Sequence, residues 1–360
     1  MRAEGTPPAR TGTTPPARAQ GDLLPSYLHA QAAEFLRALR RHRESSDATD
    51  QDRSVRSALD MRRSARRIGG ALHTFRPLTD RGWGDPLRAE LAWLSGMLAR
   101  EHAYADRLER LLDALQRLGA PTALPVARGN AAGQGGQAGP VGQEGPGTAP
   151  GPREALSREA PSRETALGIA RAGALLERQL TLARTRAHSA ALQALGSSRF
   201  HAVADAVALL ASEAPVEPGD PAPYAAHAEH RLTEAVAALP LGRAARPYNS
   251  EAVHEGQDSP WHQVRLLLRL HRYAQEVTGG DTTALTEASR TLDLHRDAAE
   301  AASAAAASAR TARIAPATAY ALGVLHSEQR HEVEAARFTF QRQWRRTATA
   351  AADVTEVVRR

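Results

Sequence analysis

The stretch "WHQVRLLLRLHRYAQE", residues 261–276, combines a helical apolar pattern with a line of basic side chains. At about 100° of turn per residue, the basic residues fall within an arc of about 80° on one helix face. These residues are His262, Arg265, Arg269 and Arg272. Most of the remaining circumference is apolar, which is typical of a buried helix. Because a buried arginine needs a partner, the line predicts either carboxylates on neighbouring helices or a groove that admits an anion.

A second stretch, "SVRSALDMRRSARRIGGALHTF" at residues 54–75, carries a similar line of basic residues. One constant offset aligns the two stretches. The aligned pairs are Arg62 with Arg265, Arg66 with Arg269 and Leu59 with His262. Arg67 adjoins the line on the helical wheel. Two basic helices at similar places in the two parts of the chain indicate an internal duplication.

Acidic residues are scarce along both stretches, which bears on how the arginines are paired. Glu276 is the only acid in residues 261–276, and no acid follows Asp60 in the second stretch. Pairing within either helix is therefore a poor explanation of the arginines. The acids that could approach from other helices include Glu90, Glu287 and Glu300. We interpret the lines as a surface that binds a polyanion, and pairing with such acids is the alternative.

The composition narrows the chemistry that the chain can perform. Its 360 residues carry a formal net charge of +6, which favours acidic partners. All 46 basic residues are arginine, so chemistry that requires lysine, such as Schiff-base formation, is excluded. Cysteine is absent, which excludes disulfides and thiolate metal sites. Without a leader-like or membrane-length apolar run, we expect a cytoplasmic protein that is neither secreted nor membrane-spanning.

Helical periodicity covers most of the chain and no strand pattern is visible, so the sequence predicts an all-α fold. The predicted divisions are a disordered tail over 1–22, a first helical half over 23–118, a flexible Gly/Pro-rich linker over 119–164, further helices with the second repeat over 165–346, and a C-terminal tail over 347–360. Two helix starts are predicted from Asp85 before Pro86 and from Ser259 before Pro260. The second start would place His262 in the first turn, where backbone N–H groups favour an anion.

Several segments, in the same order, resemble the CHAD domain, the conserved histidine α-helical domain. They are "ALDMRRSARRIGGALHTFRPL", "LRAELAWLSGMLAREHAYADRLERL", "WHQVRLLLRLHRYAQEV", "LDLHRDAAEA" and "GVLHSEQRHEVEAARFTFQRQWRR". The resemblance extends over roughly residues 24–346, interrupted by the linker. It implies two four-helix bundles related by pseudo-twofold symmetry, with a basic surface at the centre.

The resemblance also implies that the chain binds inorganic polyphosphate without catalysing a reaction and without a cofactor. Carried over position by position, the contacts would be Arg62, Arg66, Arg67, His262, Arg265, Arg269 and Arg272, with His295 nearby. The settings implied by the family are polyphosphate granules or a separate CYTH-type triphosphatase as partner. The lysine-containing tunnel motif of that triphosphatase is absent from this chain.

This copy departs from the family pattern at several positions. Leu59 occupies the place of the first histidine, Gly69 replaces an arginine, and Leu266 replaces a lysine. His102 and Ala103 stand where an Arg-Asp pair is usual. The alternatives are therefore a helical scaffold that meets a protein partner, or a nucleic-acid binder. Against the latter stands an aromatic content of 4%, which leaves few rings for base stacking.

Other arrangements of titratable residues carry no catalytic or metal prediction. The histidines of "HSEQRHE" are five apart, which does not match the spacing of a helical zinc site. His295 and Asp297 point in different directions on a helix, so a dyad is not expected. His271 lies on the apolar side of its helix and is predicted to be a hydrogen-bonded core residue.

Overall fold

The computed structural model describes residues 22–46, 51–119, 162–246 and 255–359. Within these ranges the α-helices are α1 (Leu23–Ser46), α2 (Gln51–Thr74), α3 (Arg81–Gly119), α4 (Arg163–Leu195), α5 (Ser198–Ser212), α6 (Ala222–Ala237), α7 (Leu241–Ala244), α8 (Asp258–Thr278), α9 (Thr283–Ala309) and α10 (Pro316–Arg359). Extended pairing in the described part is limited to one isolated bridge between Thr79 and Val216, so the predicted all-α fold is confirmed. The predicted N-terminal tail and linker fall almost wholly outside these ranges.

A first apolar core joins α1, α2, the N-terminal half of α3, and α5. Each helix contributes side chains spaced three or four residues apart, which places them on one face. They include Leu28, Ala32 and Phe35 of α1, Met61, Ala65 and Ile68 of α2, Leu91 and Leu94 of α3, and Phe200, Val203 and Val207 of α5. These four segments form one helical bundle.

A second core joins α6, α8, the N-terminal half of α9 and the C-terminal half of α10. It includes Leu232 and Val236 of α6, Trp261, Val264 and Leu268 of α8, Leu292 of α9, and Phe340 of α10. The apolar side of residues 261–276 is therefore buried as predicted. Leu266 is an exception, with 49% of its surface exposed.

The long helices α3, α4, α9 and α10 extend beyond the two bundles and pack together in a third core. It includes Leu111 and Leu115 of α3, Leu176 of α4, Ala301 and Ala305 of α9, and Leu322 and Leu325 of α10. The hairpin of α3 and α4 thus packs against the hairpin of α9 and α10. This contact ties the two bundles to each other.

The boundary between the two halves differs from the predicted one. The linker lies between α3 and α4, yet α5, which follows it, packs in the first core. The first half therefore does not end at residue 118 but continues through α5. The helices of the second half begin only with α6, after the proline-rich segment 213–221. The backbone of α10 stays helical to Arg359, so the segment predicted as a C-terminal tail continues this helix.

Both predicted helix starts are wrong by a short distance. Helix α3 begins one turn early because Asp80 caps it: its Oδ1 accepts hydrogen bonds from the backbone N–H groups of Gly82 and Trp83 at 2.7 and 3.3 Å. Asp85 instead accepts from the side chain of Arg76, and Pro86 lies inside the helix. Helix α8 begins at Asp258, before the predicted Ser259, so His262 falls in the second turn.

Helices α2 and α8 approach closely where Gly70 meets Tyr273. A Cβ atom at Gly70 would lie 2.5 Å from Cδ2 of Tyr273, which is closer than such atoms approach. A Cβ atom at the neighbouring Gly69 would meet only Cβ of Leu91, at 4.0 Å. The absence of a side chain at Gly70 therefore sets the distance between the two arginine-bearing helices.

Alanine at the two adjacent glycines is expected to change the free energy of unfolding in opposite directions. Gly70→Ala should destabilise the protein, because overpacking costs about 1–3 kcal/mol. Gly69→Ala should stabilise it by up to about 1 kcal/mol, because alanine is the better helix former and fits without a clash. Urea unfolding followed by circular dichroism measures both values. Equal effects of the two substitutions would contradict the close approach at Gly70.

Candidate functional site

The basic lines of α2 and α8 face each other across a groove of about 320 Å³ that α9 closes on a third side. We call it the arginine groove. It is lined by Leu59, Arg62, Arg63, Arg66 and Arg67 of α2, Arg265, Arg269, Arg272 and Tyr273 of α8, and Ser289 and Asp293 of α9. Six of the eight residues implied by the resemblance are brought together here. The other two, His262 and His295, are not among the lining residues.

Some of the arginines are held by carboxylates. The hydrogen-bonded pairs are Arg67 with Glu276, Arg265 with Asp293, and Arg63 with Asp60. Arg67 uses Nε and Nη2 to bind both oxygens of Glu276, at 2.8 and 3.1 Å. Pairing with acids therefore accounts for part of the line. Glu90 and Glu300, which the sequence offered as partners, instead pair with Arg199 and Arg107 outside the groove.

The remaining groove arginines lack such partners. Within the described part of the chain, Arg62, Arg66 and Arg269 make no hydrogen bond or ion pair with a carboxylate, and Arg272 approaches one only at 3.7 Å. The Nε atoms of Arg62, Arg66, Arg265 and Arg272 are buried and have no hydrogen-bond acceptor. Buried donors without acceptors are costly. The groove therefore presents guanidinium groups that an anion could satisfy.

The arginines are close enough to repel each other. Burial, followed by the charge of Arg66, lowers the pKa of Arg62 to about 10. Burial, with the charges of Arg66 and Arg265, lowers the pKa of Arg269 to about 9. Each group remains charged at neutral pH, because these values lie above 7. An anion bound in the groove would relieve the repulsion. Oγ of Ser289, at the wall, is also buried without a hydrogen-bond partner.

The N-terminus of α8 differs from the expected open anion site. Its first residue, Asp258, is buried and brings its own carboxylate. Nη1 and Nη2 of Arg330 donate to the two oxygens of this carboxylate at 2.7 and 3.0 Å, and Nη2 of Arg337 donates to Oδ1 at 2.5 Å. This position is therefore filled by an internal ion cluster that fixes α10 to α8.

His295 belongs to this cluster and not to the groove. Only 1% of its surface is exposed, and its Nε2 accepts a hydrogen bond from Nε of Arg337 at 3.2 Å. Burial and the charge of Arg337 lower the pKa of His295 to about 2, so its ring is neutral at pH 7. Direct contact of His295 with a groove anion does not fit this burial. The side chain of His262 is exposed, and its ring centroid lies 5.6 Å from that of His295.

The comparisons with known proteins agree with this architecture. The family model of the CHAD domain matches residues 30–306. The chain belongs to the CHAD-domain family. PptA from Streptomyces chartreusis, a solved structure, is 53% identical, and the match covers 91% of this chain and 99% of that one with a TM-score of 0.71. The CHAD domain from the plant Ricinus communis matches 88% of this chain and 91% of its own at 18% identity, with a TM-score of 0.49. No curated protein matches at a significant level.

Some features of this CHAD domain escaped the sequence analysis. Asp293 lies two positions before His295 in the quoted segment "LDLHRDAAEA", so its place beside the groove could have been considered. Asp258 has no such signal, because its partners lie more than 70 residues away. His271 is buried as expected, but its Nδ1 has no hydrogen-bond partner.

In the described ranges, no group of three His, Asp or Glu residues could hold a metal ion. Nor does any described helix have the length and apolarity to cross a membrane.

Proposed function

We propose that this CHAD domain binds inorganic polyphosphate in the arginine groove without catalysing its breakdown. The observation that carries the proposal is the convergence of Arg62, Arg66 and Arg269, from two helices, without a carboxylate partner. Guanidinium groups bind phosphate oxygens through paired hydrogen bonds that are about twice as strong as neutral ones. The phosphates would supply the countercharge that these guanidinium groups lack.

The length of the groove favours a chain of phosphates over a single one. On α8, Arg265 and Arg272 are seven residues apart, which corresponds to about 10 Å along the helix. One phosphate cannot span this distance, whereas consecutive phosphates of a polymer can contact successive arginines. His262 continues the same face beyond Arg265, so a longer chain would pass it at the end of the groove.

The carboxylates near the groove support a binding role. Asp293 and Glu276 are each held by an arginine, and Glu276 also accepts a hydrogen bond from the hydroxyl of Tyr27 at 2.8 Å. Burial and the charge of Glu276 raise the pKa of Tyr27 above its ordinary value, so the hydroxyl stays protonated. Because both carboxylates are already bound, we expect them to position the arginines and not to act as proton acceptors in a reaction.

A salt series with labelled long-chain polyphosphate tests the proposal. Contacts from Arg62, Arg66, Arg269 and Arg272, the four groove arginines without a hydrogen-bonded carboxylate among the described residues, set the expected salt dependence. They predict that the logarithm of the binding constant falls with the logarithm of salt concentration with a slope of about −2.8, on the calibration for single-stranded nucleic acids. Fluorescence anisotropy measures this slope, with unlabelled single-stranded RNA as competitor at one salt concentration. We expect polyphosphate to compete better than RNA. Stronger competition by RNA would favour a nucleic-acid binder, and no binding at low salt would overturn the proposal.

A further inference from the structure

A second recess of about 270 Å³ lies beside the arginine groove, between α2, α3 and α8. Most of its wall is apolar. The apolar wall includes Ala65 and Gly69 of α2, Leu91 of α3, and Leu266 and Leu270 of α8. Gly69 contributes space because it has no side chain, and Leu266 is 49% exposed at the edge. These are two of the positions at which the chain departs from the family pattern. We call this cavity the apolar recess.

The apolar recess is bordered by cations. Arg66 and Arg269 line both the recess and the arginine groove, so the two cavities meet at these side chains. Arg88 lies on the α3 side, and its Nε is buried without an acceptor. Ser95, only 9% exposed, also lines the recess, and its Oγ has no hydrogen-bond partner. Unsatisfied donors therefore surround an apolar wall.

This combination suits a particular class of ligand. An inorganic phosphate would leave the apolar wall in contact with water, and a neutral apolar molecule would leave the guanidinium groups unpaired. A phosphate ester with a compact apolar group satisfies both. Because a cavity of about 150 Å³ can hold benzene, the recess has room for an aromatic group of one or two rings.

We propose that the apolar recess binds the non-polar group of a small, water-soluble phosphate ester whose phosphate contacts Arg66 and Arg269. The proposal rests on the proposed anion-binding function insofar as it uses these two arginines. It goes further by assigning a place to an apolar group, for which inorganic polyphosphate has no use. The recess would then select ligands that carry an apolar group, and the arginines of the groove would attract their negative charge.

The test compares 1-naphthyl phosphate with methyl phosphate by isothermal titration calorimetry on the full chain. Burial of about 60 Å² of apolar surface is enough for a preference of about tenfold for the naphthyl ester. Gly69→Leu should reduce this preference to near unity by filling the recess, because Gly69 lines it and a Cβ atom there would make only an ordinary contact, with Cβ of Leu91 at 4.0 Å. Gly96→Leu, on α3 at a position with nothing within 4 Å, is the matched control and should keep the preference.

Binding of inorganic polyphosphate is measured for the same variants to separate the two proposals. Unchanged polyphosphate affinity in Gly69→Leu, together with loss of the naphthyl preference, supports the recess. Equal affinity for the two esters in the wild-type chain overturns it and leaves the polyphosphate proposal intact. Naphthyl binding without polyphosphate binding supports the recess alone. Vesicles of phosphatidylcholine with phosphatidic acid form a further arm, and vesicle binding that Gly69→Leu abolishes would overturn the assignment to a soluble ester.

Discussion

Replacement of Arg66 and Arg269 by glutamine together is expected to weaken polyphosphate binding about 100-fold, since a hydrogen bond to a charged group contributes about 1.5–3 kcal/mol. Neither side chain is held by a carboxylate, so both would be available to the ligand. The slope of the salt dependence should become shallower by about 1.4, because each lost phosphate contact contributes about 0.7. Anisotropy with labelled polyphosphate measures both quantities.

The same double variant is expected to unfold at a higher urea concentration than the wild-type chain. Burial lowers the pKa of Arg66, and burial with the charges of Arg66 and Arg265 lowers the pKa of Arg269, as expected where the folded state bears a cost for the charge of these groups. Removal of the charges should therefore stabilise the fold while binding is lost. If these arginines served structure alone, their replacement would lower the urea concentration at which the protein unfolds. That result would count against a groove that evolved to bind a ligand.

Two matched variants complete this test. Arg178 and Arg184 are exposed on α4, outside the groove, and their replacement by glutamine removes the same charge. That control should change the affinity for polyphosphate by less than about threefold, because exposed charges are screened. Lysine at positions 66 and 269 keeps the charge but loses the planar fork, so the salt slope should persist while the affinity falls. Equal losses in the control and in the groove variant would show that net charge, and not the groove, determines binding.

The sequence predicted the helices well because burial imposes a period on it. Phe35, Met61 and Leu91 each belong to a set of apolar residues at helical spacing in its own helix, and the structure buries each of them. Helix starts were less accurate, because Asp80 and Asp85 are both plausible caps and only the tertiary contact of Asp85 with Arg76 decides between them. Local pattern therefore determines the kind of element more reliably than its first residue.

The candidate site was predictable to the extent that it follows from helix faces. The alignment of Arg62 and Arg66 with Arg265 and Arg269 placed both lines on comparable faces, and the structure brings those faces together. The partners of each arginine were not predictable, because Asp293 and Glu276 approach through the packing of helices. His295 shows the same limit, since its family position suggested the groove whereas its contact with a distant arginine places it in the interior.

Replacement of Asp258 by asparagine is expected to destabilise the protein by about 3–5 kcal/mol, the usual cost of removing one partner from a buried ion pair. Its carboxylate binds Arg330 through both oxygens and Arg337 through one, and these arginines are 1% and 4% exposed. An amide in the same place would remove the negative charge that these two buried guanidinium groups share. Chemical unfolding measures the loss. Asp85→Asn, which alters an exposed pair with Arg76, is the control and should leave the unfolding midpoint nearly unchanged.

A second substitution distinguishes an electrostatic loss from a general packing defect. Arg337→Met added to Asp258→Asn removes one of the two buried positive charges that lose this carboxylate and fills a similar volume, so it should recover part of the lost stability. A packing defect would instead make the double variant less stable than the single one. Polyphosphate binding, measured at a temperature where Asp258→Asn is still folded, should stay within about threefold of wild type, because a cluster buried outside the groove offers no direct phosphate contact. A large loss of binding in the folded variant would mean that the ion cluster also positions the arginines of α8.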